Sequence, residues 1–145
     1  MNRPIDILMI EDNPADVALA REALKDAESR VNMQAVEDGC EAMDFLRKKG
    51  KYKGSAYPDL ILLDLNLPGK DGREVLKEIK ADPRLKHTPV VVLTTSQAQE
   101  DVCKSYELQA SCFITKPVDF DEFIKVIKSI ESFWFTVARL PHENC

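Results

Sequence analysis

Five short, mostly aliphatic runs, separated by segments of helical periodicity, limit the fold of this chain more than any other feature. They occupy residues 5–10, 31–36, 60–65, 90–95 and 111–115. Most of the runs are close to continuously apolar rather than alternating, which indicates strands that are covered on both faces of a sheet. The regular alternation of strand and helix indicates parallel strands joined by right-handed crossovers. The sequence therefore predicts an α/β fold with a doubly wound, five-stranded parallel sheet.

Capping residues mark the start of each predicted helix, because Ser, Asp and Asn side chains accept hydrogen bonds from the first free backbone N–H groups. The predicted starts are Asn13 with Pro14 at the first helical position, Asp38 for a helix over 39–50, Asp71, Ser96 for a helix over 97–109, and Asp119. Five helices between and after the strands complete the predicted α/β pattern.

The length and composition fit one soluble domain over 1–145, with 44% hydrophobic and 31% charged residues. The net charge of −5 argues against binding to nucleic acid, which requires a basic face. No apolar stretch approaches the roughly 20 residues of a membrane-spanning helix, and acids end the N-terminal run at once. The four cysteines are scattered and form no CxxC pair, so we expect reduced thiols in a cytoplasmic protein, without zinc.

Charged and hydroxyl side chains lie at or directly after the carboxyl ends of four of the five predicted strands. They are Glu11 and Asp12, Asp64, Thr94 and Thr95, and Lys116. The carboxyl ends of parallel strands meet at one edge of a sheet, which is where open α/β sheets bind ligands. We therefore expect three carboxylates, one or two hydroxyls and one ammonium to lie close together.

The electrostatics of this edge predict a metal ion. Two carboxylates about 4 Å apart repel each other by roughly 4 kcal/mol at an effective dielectric constant near 20. A hard divalent cation, Mg²⁺ or Mn²⁺, would relieve that repulsion and keep water ligands for a phosphate to replace. Lys116 adds a second positive charge for an incoming anion. Such a site could receive a phosphoryl group, with Asp64 as the nucleophile that forms an acyl phosphate.

Four segments together resemble a response-regulator receiver domain, which has a flavodoxin-like fold. They are MIEDNPAD, LILLDLNLPGKDG, VVVLTTS and ITKP. The resemblance implies a phosphoacceptor signalling domain that catalyses only its own phosphorylation and dephosphorylation. It also assigns roles to individual residues: Asp64 as phosphoacceptor, Glu11, Asp12, Asp64 and the Asn66 carbonyl as metal ligands, Thr94 rather than Thr95 as the switch hydroxyl, Phe113 as the aromatic switch, and Lys116 as the phosphoryl contact. It further implies a cis bond between Lys116 and Pro117.

A narrower resemblance is to the stand-alone regulators of cyanobacterial phytochrome histidine kinases. It depends on ESFWFTVARLP at 131–141 and on the segment 48–58, whose length and basic composition predict a solvated surface loop. The resemblance implies a two-component phosphorelay in which a phytochrome-type histidine kinase is the phosphodonor and light is the signal. With no room after the last helix for a DNA-binding domain, the output is expected to be protein contact.

The C-terminal helical extension, at about 131–145, is the candidate surface for that contact. Five apolar residues form one stripe that is expected to be mostly core: Phe120, Phe123, Ile127, Ile130 and Trp134. Phe133, Phe135 and Val137 lie off this stripe, so apolar surface extends beyond one face. Two alternatives stay open: a homodimer through this region, or residues 135–145 folding back over their own domain.

Three other functions share some of these features. A metal-dependent phosphatase would carry a second acid two residues after its nucleophile, where this chain has Asn66. A flavin- or nucleotide-binding module would need a glycine-rich loop after the first strand, where this chain has EDNPAD. A degenerate receiver that serves only as a scaffold is disfavoured because every site residue is present.

Overall fold

The computed structural model describes residues 4–25, 31–95 and 99–134, which form five parallel strands and five α-helices. In chain order they are β1 Ile5–Ile10, α1 Pro14–Ala23, β2 Val31–Val36, α2 Gly39–Leu46, β3 Leu60–Leu63, α3 Gly72–Ala81, β4 Val90–Thr94, α4 Gln99–Glu107, β5 Cys112–Thr115 and α5 Phe120–Ser132. In the described ranges, none of the helices combines the length and the apolar character needed to cross a membrane. The predicted fold class is confirmed.

The strand order in the sheet is β2-β1-β3-β4-β5, with every neighbouring pair parallel. From β1 the chain moves to one side to form β2, then crosses to the other side for β3. The order therefore reverses between β1 and β3, and ligands of open α/β sheets bind at the carboxyl ends of the strands beside such a reversal. Ile10 pairs with Leu63 there, so the residues that follow β1 and β3 are direct neighbours.

Two apolar clusters, one on each face of the sheet, form the core. One cluster joins alternate residues of the strands to α2 and α3, and the other joins the remaining strand residues to α1 and α5. In the central strand β3, for example, Ile61 and Leu63 face the first cluster and Leu60 and Leu62 the second. All four are buried, which explains why this strand is continuously apolar in sequence.

Four of the predicted helix caps are confirmed. The side chains of Asn13, Asp38, Asp71 and Asp119 each accept a hydrogen bond from a backbone N–H in the first turn of α1, α2, α3 and α5 respectively. The predicted cap at Ser96 lies outside the described residues. α4 is described from Gln99 and ends at Glu107, two residues before the predicted end.

α2 ends at Leu46, so the predicted helix over 39–50 was too long. Lys48 has a left-handed φ of 57°, its N–H donates to Phe45 O, and the N–H of Lys49 donates to Asp44 O. These two bonds form the Schellman arrangement that satisfies the last carbonyls of a helix. Glycine usually occupies the left-handed position, and the nearest glycine, Gly50, is two residues later.

The predicted surface loop at 48–58 is mostly exposed, as expected, but one of its aromatic residues packs on the domain. It contains a 3₁₀ turn at Gly50–Tyr52, and the Tyr52 ring packs 5.0 Å from that of Phe45, at the margin of the core. Lys48 Nζ lies 3.9 Å from the centroid of the Tyr57 ring. Tyr52 therefore attaches this basic segment to the domain, whereas the contact between Lys48 and Tyr57 lies within the segment.

The stripe on α5 is core from its second turn onward. Phe123, Ile127 and Ile130 are buried and Trp134 packs against the same cluster, whereas Phe120 is 67% exposed. The prediction that the stripe is mostly core is confirmed, and Phe120 is its exposed member because it is the first residue of α5, ahead of the turn that packs on the sheet. Phe133 lies off the stripe as predicted and is exposed. Phe135, Val137 and the rest of 135–145 lie outside the described residues.

Candidate functional site

Backbone hydrogen bonds at the ends of β1 and β3 bring three carboxylates together. The N–H of Glu11 donates to Val36 O at 3.0 Å, and the N–H of Asp64 donates to Ile10 O at 3.1 Å. Glu11 and Asp64 are therefore each fixed one residue beyond the last residue pair of their strands, and Asp12 follows Glu11 directly. Glu11, Asp12 and Asp64 each offer one oxygen within 4.8 Å of the others.

Lys116 supplies the positive charge at this cluster. Its Nζ lies 2.5 Å from Glu11 Oε1 and 3.3 Å from Asp64 Oδ2. Glu11 and Asp64 are only 2% and 6% exposed, and Lys116 is 8% exposed. A buried carboxylate is costly without a partner, and the ammonium is the partner that makes Asp64 tolerable at the end of an apolar strand.

The pKa values of these groups show that the negative charge is in excess. The pKa of Glu11 is raised from 4.5 to about 7, mainly by burial and also by the nearby charge of Asp64, against the opposing effect of its hydrogen bond with Lys116. Burial alone would lower the pKa of Lys116, but hydrogen bonds with Asp16 and Glu11 and the charges of Glu11 and Asp64 raise it above its ordinary value. The site therefore favours a cation or a proton among its acids.

The segment after β3 holds Asp64 by close backbone packing. The N–H of Asn66 donates to Asp64 Oδ1 at 3.1 Å, and the N–H of Gly72 donates to Leu65 O at 3.0 Å. A Cβ on Gly72 would lie 2.3 Å from Asp64 O, so only glycine fits at the start of α3. This contact fixes the direction of the chain as it leaves Asp64.

Thr94 and Phe113 lie on the two strands that follow. Thr94 is fully buried, and its hydroxyl accepts a hydrogen bond from the side-chain amide of Asn66 at 3.3 Å. Phe113 is half-buried against the core, and its backbone N–H donates to the Tyr106 hydroxyl of α4 at 3.2 Å. The Tyr106 hydroxyl thus lies beside the backbone of Phe113, whose own side chain has no hydroxyl.

Comparison with known families identifies the chain. The profile described as response regulator receiver domain matches residues 7–128, which include every residue of this site. The chain belongs to the response regulator receiver family. This membership confirms the resemblance that the four motif segments predicted.

Individual receivers resemble the chain over nearly its whole length. It is 49% identical to response regulator Rcp1 of Synechocystis sp. over 140 residues, covering 97% of this chain and 95% of Rcp1. The crystal structure of the phosphorylated cyanobacterial phytochrome response regulator RcpA matches with a TM-score of 0.93 and 49% identity, covering 95% and 99% of the two chains. The Mn²⁺-bound form of Rcp1 matches with a TM-score of 0.91, at the same identity and coverage.

In this receiver, the predicted site residues meet at one edge of the sheet. Glu11, Asp12 and Asp64 form the acidic cluster, Lys116 contacts two of its members, and Thr94 is linked to the cluster through Asn66. Phe113 lies apart from the acids, on β5 beside α4. The individual roles implied by the family resemblance stay predictions.

The expected cis bond between Lys116 and Pro117 is wrong for this structure. Both residues are described, and none of the described peptide bonds is cis. Trans is the lower-energy form of an X–Pro bond by about 0.5–1 kcal/mol. From a trans bond, the N–H of Lys116 donates to Thr94 O at 2.8 Å and its Nζ still reaches the carboxylates.

Asp16 is the site residue that sequence reasoning missed. Its Oδ2 lies 2.7 Å from Lys116 Nζ, closer than the oxygen of Asp64. In sequence, Asp16 has an ordinary role as an acid in the first turn of a helix. The sequence could have indicated this position. Asp16 lies four residues after Asp12, in the first turn of α1, and α1 begins at the edge of the sheet where the site lies.

Proposed function

We propose that this chain is a response regulator in which Asp64 accepts a phosphoryl group from a histidine kinase in a two-component phosphorelay. The observation that carries the proposal is the buried Asp64 carboxylate, held between an acidic cluster and the ammonium of Lys116. Membership of the receiver family supports it. The protein is thus a signalling domain that catalyses only its own phosphorylation and dephosphorylation, and we expect it in the cytoplasm, as a single domain over 1–145.

Mg²⁺ is the metal that we propose for the acidic cluster, with Mn²⁺ as a substitute. The donors are carboxylates, the hard oxygen ligands that Mg²⁺ prefers. Their oxygens all lie within 4.8 Å of one another, and two ligands on opposite sides of one Mg²⁺ are about 4.2 Å apart. Glu11, Asp12, Asp64 and the carbonyl of Asn66 would hold the ion. When bound, the ion supplies positive charge that neutralises the oxygens of the phosphoryl group.

Phosphoryl transfer needs little more from the protein than position and charge. A lone pair on Asp64 attacks phosphorus and forms an O–P bond, while the N–P bond of the phosphohistidine breaks and its electron pair remains on the imidazole nitrogen. Asp64 needs no base, because it attacks as a carboxylate. Lys116, 3.3 Å from Asp64 Oδ2, is close enough to contact the oxygens of the arriving group.

Switching would follow from the new acceptor oxygens. A phosphoryl group adds about 1.5 to 2 negative charges and three strong hydrogen-bond acceptors. The Thr94 hydroxyl, which now accepts a hydrogen bond from Asn66, would move to donate one to a phosphoryl oxygen, and Phe113 would turn toward the space that the threonine leaves. The change is a shift between two populated arrangements. Its free energy equals the difference between the interaction free energies of the phosphoryl group with the two arrangements.

A phytochrome-type histidine kinase is the partner that we propose, with light as the upstream signal. The support is the full-length similarity to a structure described as a cyanobacterial phytochrome response regulator. We further propose that a C-terminal helical extension at about 131–145 forms a homodimer surface, supported by Phe133, which is exposed directly after α5. Light scattering at tens of micromolar, with and without an acyl-phosphate mimic, is expected to give the mass of a dimer; a monomer in both conditions would contradict this.

Turnover separates this function from that of a phosphatase. A receiver retains one phosphoryl group per chain and releases almost no product from small phosphate esters. At the position of a phosphatase's second acid, Asn66 carries an amide that is bonded to Thr94 and cannot transfer a proton. Sustained hydrolysis of p-nitrophenyl phosphate that is lost in Asp64→Asn would overturn the proposal in favour of a hydrolase.

A further inference from the structure

The ammonium of Lys116 has three N–H donors and contacts three carboxylates. The two short contacts are to Glu11 Oε1 at 2.5 Å and to Asp16 Oδ2 at 2.7 Å, and the long one, at 3.3 Å, is to Asp64 Oδ2. The first two therefore hold the ammonium, while the third is the weakest and the easiest to exchange. An oxygen of a phosphoryl group on Asp64 could take over this third donor.

Glu11 cannot be a lasting anchor if it also serves a metal. It belongs to the acidic cluster, whereas Asp16 does not. A divalent ion about 4 Å from an ammonium repels it by roughly 8 kcal/mol at an effective dielectric constant near 20. A divalent ion bound by the acidic cluster would therefore repel Lys116 from Glu11, toward a carboxylate outside the cluster.

We propose that Asp16 is that carboxylate: a positioning residue that keeps the ammonium of Lys116 beside Asp64 when Glu11 turns to the metal. The inference rests on the proposed phosphoacceptor function. α1 can hold Asp16 firmly, because Asn13 caps the helix and α1 packs against α5. The Asp16 side chain is 18% exposed and that of Lys116 5%, so the pair is largely shielded from water.

A purely structural role for Asp16 is the competing explanation, since an acid in the first turn stabilises a helix by about 0.3–1 kcal/mol. Asp121 provides a matched control, because it is an exposed acid in the first turn of α5. Asp16→Ala and Asp121→Ala each remove one acid from the first turn of a helix. Asp16→Glu retains the charge and tests for rescue.

The first test observes the ammonium directly, by NMR of protein labelled with ¹⁵N-lysine, with Mg²⁺ at constant pH. The Lys116 resonance is assigned by its absence in Lys116→Met. We expect this resonance to be protected from exchange with water in the wild type and in Asp121→Ala, broadened beyond detection in Asp16→Ala, and partly restored in Asp16→Glu. A resonance that stays protected in Asp16→Ala would overturn the inference.

The second test measures phosphorylation by acetyl phosphate, which needs no docking to a kinase. Asp16→Ala is expected to lower the maximal rate about 5- to 20-fold, because small misplacements of a positioned group are costly. In a Lys116→Met background, the same change should have less than about a twofold effect. Equal losses of rate in both backgrounds, or a wild-type rate in Asp16→Ala, would contradict the role of Asp16 but not the proposed function. A wild type that takes up no phosphate would contradict the proposed function itself.

Discussion

The side-chain amide of Asn66 donates a hydrogen bond to the hydroxyl of Thr94, with 3.3 Å between Nδ2 and Oγ1. The backbone N–H of the same asparagine donates to Asp64 Oδ1. One residue thus connects the proposed phosphoacceptor with the proposed switch hydroxyl on the next strand. A phosphoryl group on Asp64 would offer an acceptor to the Thr94 hydroxyl, whose oxygen here accepts from the Asn66 amide.

Thr94→Ala is therefore expected to separate phosphorylation from switching. The variant should take up phosphate to the wild-type extent, because Asp64, Lys116 and the acidic cluster are unchanged. The environment of Phe113 should no longer respond, which ¹⁹F NMR of fluorophenylalanine-labelled protein would detect. Thr95→Ala is the control, since Thr95 is exposed. A normal response of Phe113 in Thr94→Ala would refute the role of this hydroxyl.

Asp12→Asn is expected to weaken Mg²⁺ binding at least about tenfold, since removal of one of three carboxylates takes away both a ligand and a charge. Calorimetric titration with Mg²⁺, and with Mn²⁺, measures the dissociation constant. Asp38→Asn, at the cap of α2, removes an acid that lies outside the cluster. Equal affinities of the Asp12 and Asp38 variants would show that the cluster is not the metal site.

Gly72→Ala is expected to destabilise the fold by about 1–3 kcal/mol, as overpacking typically does. The new methyl would meet Asp64 O at 2.3 Å and the Cα of Leu65 at 2.6 Å, and neither backbone atom can move freely. Urea denaturation measures the change in the free energy of unfolding. Gly54→Ala is the matched control, because no atom lies within 4 Å of its added carbon. Equal stability of the two variants would contradict the close packing behind Asp64.

The raised pKa of Glu11 gives a pH dependence of stability. Folding raises this pKa from 4.5 to about 7, so between these pH values the folded state binds more protons than the unfolded state. The contribution of Glu11 to stability therefore falls as the pH rises through this window. The contribution of Lys116 stays constant there, because its pKa is raised from an already basic value.

Thermal denaturation without metal, from pH 4.5 to 7.5, measures this effect. The melting temperature of the wild type relative to Glu11→Gln is expected to fall by several °C across the window, since 1 kcal/mol corresponds to about 2–4 °C in a domain of this size. Glu22→Gln, an exposed acid on α1, should show no such trend. If the difference in melting temperature between wild type and Glu11→Gln stayed constant with pH, the raised pKa of Glu11 would be contradicted.

The sequence was most informative where burial dictates composition. The apolar run before Asp64 and the acids after β1 predicted both the sheet and its functional edge, because parallel strands place their ends together. The capping residues located the helix starts, because the first N–H groups of a helix need a side-chain acceptor. Strand ends were predicted within two residues.

Features that depend on three-dimensional contacts were not predictable. α2 ends at Leu46, and the left-handed residue that closes it, Lys48, is not the glycine that usually marks such an end. The importance of Asp16 depends on where Lys116 Nζ comes to rest, 100 residues further along the chain. Phe120 has the right spacing for the core stripe but lies one turn before the buried part of α5.

The central claim is that Asp64 is the nucleophile for a phosphoryl group, and intact mass spectrometry tests it most directly. The wild type, Asp64→Asn and Asp59→Asn would be incubated with acetyl phosphate and Mg²⁺ and weighed. Asp59 is a matched control, a buried aspartate just before β3, at the opposite edge of the sheet. The account predicts the added mass of one phosphoryl group in the wild type and Asp59→Asn and none in Asp64→Asn; equal uptake by Asp64→Asn, or no uptake by the wild type, would contradict it.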